Sequence, residues 1–130
     1  DDLDQVHPEY REKMAILDLK EVKNNNGKCY VAIENDKVIG LIMGYVRTYD
    51  EYDYLDYKCP KSGKVSELVI AEGTRGKGVG QKLMNKMEEY FKSLGCEYVF
   101  LDVFAYNENA INFYKKNGYH GRMISDIKKL

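Results

Sequence analysis

The sequence predicts one mixed α/β (α+β) domain, residues 1–130, with a central mixed, mostly antiparallel sheet and helices on both of its faces. Three observations lead to this prediction. Apolar segments of strand length alternate with segments of helical periodicity, in the order helix, three strands, helix, strand, helix, strand. A tight turn separates the first two strands, as is typical of an antiparallel pair. The chain of 130 residues also has the length of one domain with its own core.

The first half of the chain contains one predicted helix and two predicted strands. Pro8 is suited to the start of a helix, and Tyr10, Met14 and Leu17 follow it at helical spacing. The Asn-rich and Gly-containing stretches between the periodic segments predict turns. In chain order these elements are a helix from 8 to about 20, a turn at 24–27, a strand at 29–34, a turn at 35–36 and a strand at 38–46.

Residues 47–63 are rich in tyrosine and in acidic residues, which makes them too polar for a core strand. Carboxylates attract an ammonium group, and aromatic faces hold a cation by cation–π contact. The segment therefore predicts either a pocket for a cationic group or an acidic surface loop. The residues that would line such a pocket are Tyr49, Asp50, Tyr52, Asp53 and Asp56.

The second half continues with strands and amphipathic helices. The longest helix has an apolar stripe from Val79 to Leu94 and ends at Gly95. Either Asn107 or Asn109 caps the last helix. The predicted elements are a strand at 65–70, a helix at 79–94, a central strand at 98–104, a helix at 110–116 and one or two strands at 119–130.

Composition excludes several classes of protein. A net charge of -1 argues against a nucleic-acid binder that acts through bulk charge. The sequence shows no membrane span or signal-peptide pattern, and its two histidines have no third ligand nearby, so no metal site is predicted. Three cysteines without close pairing favour a reduced, cytoplasmic setting. The start at Asp1, without Met, suggests that some N-terminal sequence is missing.

The most informative motif lies between the strand at 65–70 and the helix that starts at Val79. The run from Thr74 to Gly80 contains three glycines, which let the backbone turn with its N–H groups exposed. The following helix adds free amide donors and the positive end of its dipole, so the turn suits a phosphate or pyrophosphate. A Walker A loop is excluded because Lys77 is followed by Gly78, and the dinucleotide fingerprint GxGxxG is not met. The spacing that fits is RxxGxG.

A second motif follows the next predicted strand, in the order N-x-x-A-I-x-x-Y-x-x-x-G-aromatic. Together the two motifs resemble the GNAT superfamily of acetyl-CoA-dependent N-acetyltransferases over about residues 28–130. The resemblance implies the GNAT-like acyl-CoA N-acyltransferase fold, here without its N-terminal strand, and coenzyme A bound by the glycine turn. The second motif is met by Asn107, Ala110, Ile111, Tyr114, Gly118 and Tyr119. The cofactor-binding residues that the resemblance implies are Leu68, Val69, Ile70, Arg75, Gly76, Lys77, Gly78, Val79, Gly80, Asn107 and Tyr114.

The chemistry of amine acetylation adds roles to three residues. An alkyl amine must lose its proton before it attacks, and Glu67 is the candidate base, although a solvated strand residue or one that pairs with a lysine is an equal alternative. The resemblance implies that the backbone N–H of Ile70 stabilises the oxyanion, provided that its strand separates from the one at 98–104. It also implies that Tyr114 donates a proton to the leaving thiolate. Asn107 either contacts the pantetheine arm or caps its helix.

The acceptor and the partners remain open at this point. The acidic and aromatic residues of 47–63 favour a small cationic amine, polyamine-like, aminoglycoside-like or lysine-like. The alternatives are a protein or peptide N-acetyltransferase and a non-catalytic acyl-CoA-binding sensor domain. No nucleic-acid or membrane partner is expected, and the resemblance allows a homodimer that no residue indicates.

Overall fold

The computed structural model describes residues 9–56, 58–74 and 76–130. The predicted helix start at Pro8 lies outside the described residues. The elements are α1 (Tyr10–Asn24), β1 (Lys28–Glu34), β2 (Lys37–Val46), α2 (Glu51–Asp56), β3 (Ser62–Ile70), α3 (Val79–Ser93), β4 (Tyr98–Phe100) and α4 (Glu108–Lys116).

The four strands form one sheet in the order β1-β2-β3-β4. β1 pairs with β2 and β2 with β3 in antiparallel fashion, whereas β3 and β4 are parallel. A two-residue turn connects β1 to β2, and Asn35 and Asp36 both have positive φ there, as a type I′ hairpin requires. The predicted mixed, mostly antiparallel sheet is therefore confirmed.

The hydrophobic core lies between the sheet and α3. Its buried members come from β2, β3 and the inner face of α3: Ile42, Val65, Leu83, Met84, Met87 and Phe91. Helix α1 packs against β1 and β2. Asp18 of α1 lies close enough to Glu67 of β3 for each to change the pKa of the other, and Glu67 alternates with the core-facing Leu68, so α1 covers the opposite face of the sheet.

Replacing Gly63 with alanine should destabilise this core. A Cβ atom at Gly63 would lie 2.4 Å from the ring of Phe91, a side chain that is only 1% exposed and has no room to shift. We expect a loss of roughly 1–3 kcal/mol in the free energy of unfolding, as is typical of overpacking. Urea denaturation measures this loss. The control is Gly121→Ala, where a Cβ meets nothing within 4 Å and no change is expected.

Three sequence-based expectations about the sheet were wrong. β3 begins at Ser62 rather than at 65, and its first three residues form the whole ladder with β4. β4 contains three residues instead of seven and is an edge strand, because the chain leaves β3 after Phe100. Residues 119–130 contain no strand. The apolar side chains of that segment, Met123, Ile124, Ile127 and Leu130, are all exposed, so no partner strand buries them within the described residues.

Helix α2 was not predicted. Its N-terminus is stabilised by a reciprocal pair of hydrogen bonds in which Asp50 Oδ1 accepts from the Asp53 N–H and Asp53 Oδ2 accepts from the Asp50 N–H, both at 2.9 Å. This is the hydrogen-bond pattern of a capping box, with aspartate at both positions. Asp50 and Asp53 indicate a helix start, but in the sequence they were interpreted only as part of an acidic loop or pocket. Among the described residues, no helix has the length and apolar character needed to cross a membrane.

Candidate active site

Strand β3 has an open edge over its C-terminal half. Its ladder with β4 ends at the pair Lys64–Phe100, while β3 continues to Ile70 with β2 alone as its partner. The N–H of Ala71 donates to Ile39 O on the β2 side at 2.9 Å. Because successive N–H groups of a strand point to opposite sides, those of Leu68 and Ile70 point into the gap beside β3. The gap therefore presents two backbone donors to a ligand.

The glycine turn follows β3 directly and is exposed. Gly76 and Gly78 have φ values of 87° and 76°, and a Cβ atom at either position would meet nothing within 4 Å. Gly78 is the N-cap of α3 and has no side chain that could cap the first-turn N–H groups of the helix. The turn has the open backbone that an anionic group needs.

The turn contains two basic residues, Arg75 and Lys77. Lys77 is exposed and lies 3.8 Å from Glu34, a loose surface ion pair that leaves its ammonium group accessible. Arg75 lies outside the described residues. Val79 and Gly80, the last two residues of the predicted coenzyme A-binding turn, begin the first turn of α3.

Helix α4 lies next to the start of α3. A Cβ atom at Gly80 would be 3.4 Å from the ring of Phe113, and Gln81 donates a hydrogen bond to the side chain of Asn117. Asn107 is the N-cap of α4, since its side chain accepts from the Ala110 N–H at 3.2 Å. The capping role that the sequence offered for Asn107 is confirmed, and a contact with pantetheine stays a prediction.

Tyr114 of α4 is half-buried beside the core. Its ring contacts those of Phe113 and Tyr119 at centroid distances of 5.5 and 5.8 Å. Burial raises the pKa of Tyr114, and the negative charge of Glu67 raises it further. Tyr114 thus packs on the core side of the sheet and is still close enough to Glu67, on the other side, to respond to its charge. This position is available because β3 and β4 separate.

Glu67 projects from β3 towards α1. Along β3, Leu68 and Ile70 pack against the core, whereas Val69 is 53% exposed on the opposite face, to which Glu67 also projects. Burial raises the pKa of Glu67, and so do the negative charge of Asp18 and a hydrogen bond with it. Glu67 is therefore a partly buried carboxyl group paired with a second carboxyl group, not a solvated strand residue.

Asp18 was missed in the sequence. It is only 7% exposed, and its signal was its place in an i, i+4 row with Met14 and Val22, which are both partly buried. Leu17, which the helical spacing grouped with Tyr10 and Met14, is 54% exposed. An acidic residue in an inward-facing row is the kind of buried polar group that calls for an explanation.

The candidate acceptor residues of 47–63 have mostly local partners. The Tyr49 hydroxyl donates to Pro60 O at 2.8 Å, and the Arg47 guanidinium lies 4.8 Å from the Tyr49 ring. Asp50 and Asp53 cap α2, Tyr52 is 76% exposed, and the Asp56 side chain lies outside the described part of the chain. Tyr49 also bonds to Ser62, which is about 17 Å along the strand from Glu67. The structure does not bring this group to Glu67.

The remaining candidates converge on one region. Glu67, the donors of Leu68 and Ile70, and Tyr114 surround the gap beside β3, and the glycine turn follows at its end. In the part of the chain that the structure describes, no group of three or more His, Cys, Asp or Glu side chains is placed to hold a metal ion. The arrangement can hold an anionic carrier, orient a carbonyl oxygen against backbone donors and move protons at two side chains.

Comparison with known proteins gives a consistent result. A family model described as "Acetyltransferase (GNAT) family" matches residues 2–119. The uncharacterised N-acetyltransferase YdgE of Bacillus subtilis is 44% identical over 70 residues, which cover 54% of this chain and 45% of that protein. Glucosamine 6-phosphate N-acetyltransferase of Arabidopsis thaliana is 35% identical over 109 residues, which cover 84% of this chain and 70% of that protein. The chain spans about half the length of the first curated relatives that it matches.

Solved structures share the fold at lower identity. The aminoglycoside N-acetyltransferase AAC(6')-Iy, in complex with CoA, superposes with a TM-score of 0.71 at 15% identity. The match covers 92% of this chain and 88% of that one. At this level of identity the similarity shows the fold alone.

Proposed function

This chain belongs to the acetyltransferase (GNAT) family, and on that premise we propose that it is an enzyme that moves the acetyl group of acetyl-CoA directly to a primary amine. The observation that carries the proposal is the open edge of β3, where the N–H groups of Leu68 and Ile70 face a gap next to the exposed glycine turn. One extended carrier with a diphosphate at one end and a thioester at the other would use both features.

Acetyl-CoA supplies the activated acetyl thioester when it is bound. The backbone of residues 76–80 would hold its diphosphate, and the edge of β3 from Leu68 to Ile70 would pair with its pantetheine amides. The open space at Gly76 and Gly78 fits such a group, because a Cβ atom at either position would meet nothing within 4 Å. The N–H of Ile70 would then stabilise negative charge on the carbonyl oxygen as the amine attacks.

Two side chains would move the protons. Glu67 accepts the proton that the amine must lose, and Tyr114 donates a proton to the sulfur when the carbon–sulfur bond breaks. The raised pKa of Tyr114 keeps its hydroxyl protonated at neutral pH, as an acid requires. The raised pKa of Glu67 brings it closer to the working pH, which makes it a better base than an ordinary carboxylate.

We propose a small cationic amine as the acceptor. The support is the acidic surroundings of Glu67, namely Asp18 and Glu21, which attract an ammonium group. Glucosamine 6-phosphate N-acetyltransferase, a relative whose name specifies an acceptor, acts on a molecule that carries a primary amine. A thiol-release screen with acetyl-CoA against polyamines, aminoglycosides, amino sugars and lysine-containing peptides identifies the class; turnover of peptides alone would favour a protein acetyltransferase.

Replacing Gly78 with alanine tests the glycine turn. The left-handed φ of 76° strains any other residue, and the strain rotates the N–H groups that would meet the diphosphate. We expect the Kd for acetyl-CoA, measured by calorimetry, to rise by about tenfold.

The matched control is Gly73→Ala, because Gly73 has a similar φ of 81° and equally open surroundings but lies before the turn. Both variants should lose about 1–2 kcal/mol of stability. Only Gly78→Ala should lose affinity, and an equal loss in the two variants would contradict the assignment of 76–80 to the diphosphate.

A further inference from the structure

Asp18 is a buried carboxyl group without adequate partners. It projects from the middle of α1 towards the sheet, is 7% exposed, and its Oδ2 atom has no hydrogen-bond partner among the described residues. Leaving a carboxylate oxygen buried and unpaired is unfavourable by several kcal/mol in general. An arrangement of this kind persists where the group has a ligand or a proton to hold.

The side chain that Asp18 does contact is Glu67. The two carboxyl groups lie close enough for each to change the pKa of the other, and a hydrogen bond between them requires that one of them carries a proton. Two adjacent carboxylates in a partly dehydrated site repel each other, so the pair retains a proton to a higher pH than an isolated Asp or Glu. The pair then has one negative charge, shared by four oxygens.

The groups around the pair do not neutralise it. Glu21 of α1 adds negative charge near Asp18, Tyr45 of β2 is close enough to respond to both Asp18 and Glu21, and Tyr114 of α4 responds to Glu67. Lys64 of β3 is the residue paired with Tyr45 across the sheet. Its ammonium group forms an ion pair with Asp102 at 2.5 Å. Among the described residues, the charged groups that act on the pair are therefore all acidic.

We propose that Asp18 and Glu67 act as one carboxyl pair, in which Asp18 positions Glu67 and provides the Oδ2 atom to the ammonium group of the acceptor. This inference rests on the function proposed above. In the free protein the two residues share a proton. A bound primary ammonium donates N–H bonds to both carboxylates and replaces that proton, which leaves to solvent. One ammonium proton then passes to Glu67, which restores the shared proton and leaves the amine neutral for attack.

The proton balance agrees with the overall reaction. An ammonium group enters, an amide leaves, and one proton is released to solvent, here at the binding step. The pair ends each cycle with the same single proton that it held at the start. The second proton that the nitrogen loses as the amide forms returns to the Tyr114 oxygen, whose own proton leaves on the sulfur. The arrangement therefore selects ammonium groups that carry N–H bonds, because a quaternary ammonium has no N–H to donate and no proton to lose.

The first test needs no acceptor. Side-chain carboxyl ¹³C resonances of Asp18 and Glu67 are followed by NMR against pH in the wild type and in Asp18→Asn. Coupled groups report two titration steps at both carbons, so we expect two steps in the wild type. Asp18→Asn leaves a single step at Glu67 with its midpoint lowered by about one pH unit, since the neighbouring charge is gone. Single, independent steps in the wild type, or an unmoved Glu67 midpoint in the variant, would overturn the proposal.

Two further variants serve as a control and as a substitute in this test. Glu21→Gln removes one charge from the same helix but does not touch the hydrogen bond to Glu67, so the two-step titration should remain. If Asp18→Asn does not fold, Glu67→Gln gives the reciprocal measurement, in which Asp18 titrates in one step.

A second test separates this inference from the proposed function. The pH profile of kcat/KM is measured with the best amine of the acceptor screen. With Asp18→Asn we expect its acid limb to shift to lower pH by about one unit, in parallel with the Glu67 midpoint. Wild-type turnover with an unshifted acid limb in the variant would refute the pair and leave the acetyltransferase proposal intact. Absence of wild-type turnover with every amine would refute the proposed function instead, while the NMR result still decides whether the pair exists.

Discussion

Replacing Tyr114 with phenylalanine should lower kcat by about 100-fold and leave acetyl-CoA binding almost unchanged. Removal of a positioned general acid generally reduces the rate by 10²–10⁴-fold, and the aromatic ring that packs against Phe113 and Tyr119 is kept. The sulfur must then leave as a thiolate without a proton from the protein. Steady-state thiol release gives kcat, and calorimetry gives the Kd for acetyl-CoA.

The matched control is Tyr119→Phe. Tyr119 belongs to the same ring cluster, and its hydroxyl donates to Glu88 at 3.3 Å, a contact outside the proposed chemistry. Its loss should affect stability more than kcat. A Tyr114→Phe enzyme with unchanged kcat would show that the thiolate leaves unaided or that another acid serves. Wild-type binding of acetyl-CoA with no turnover of any amine would favour the sensor domain instead.

Most of the elements from 10 to 116 were predictable because they depend on local pattern, although α2 was missed. The stripe of α3, the type I′ turn at Asn35-Asp36 and the cap at Asn107 are properties of short segments, and all three are found in the structure. The strands expected at 119–130 failed because a strand needs a partner, and alternation of apolar residues does not reveal whether one is present. The same reasoning accounts for β4, whose length is set by where β3 diverges from it.

The candidate site was predictable only in part. The glycine turn and Tyr114 belong to sequence motifs with a recognisable spacing, so they could be identified from the sequence alone. The partner of Glu67 could not, since Asp18 is 49 positions away in the chain and its importance arises from the packing of α1 on the sheet. The Tyr- and Asp-rich segment at 47–63 is the opposite case. Its composition indicated a pocket for a cationic group, yet two of its aspartates cap α2.

Replacing Glu67 with glutamine should change both the size of kcat/KM and its dependence on pH. Burial and the charge of Asp18 raise the pKa of Glu67, so this residue becomes an effective base only as the pH rises through that raised value. Wild-type kcat/KM should therefore increase with pH above the ordinary glutamate range and then level off. At neutral pH the variant should lose about 100-fold or more, because a general base contributes 10²–10⁴-fold.

The shape of the profile distinguishes a lost base from a damaged site. Without Glu67, the reaction depends on the small fraction of amine that is already neutral, and that fraction grows tenfold per pH unit up to the amine pKa near 10. The variant should thus regain activity steadily at high pH and approach the wild type. Glu97→Gln, at an exposed residue before β4, is the charge-matched control and should keep the wild-type profile. A Glu67→Gln enzyme that stays equally impaired at all pH values would assign Glu67 to positioning of the acceptor, because only a missing base is compensated by an amine that deprotonates by itself.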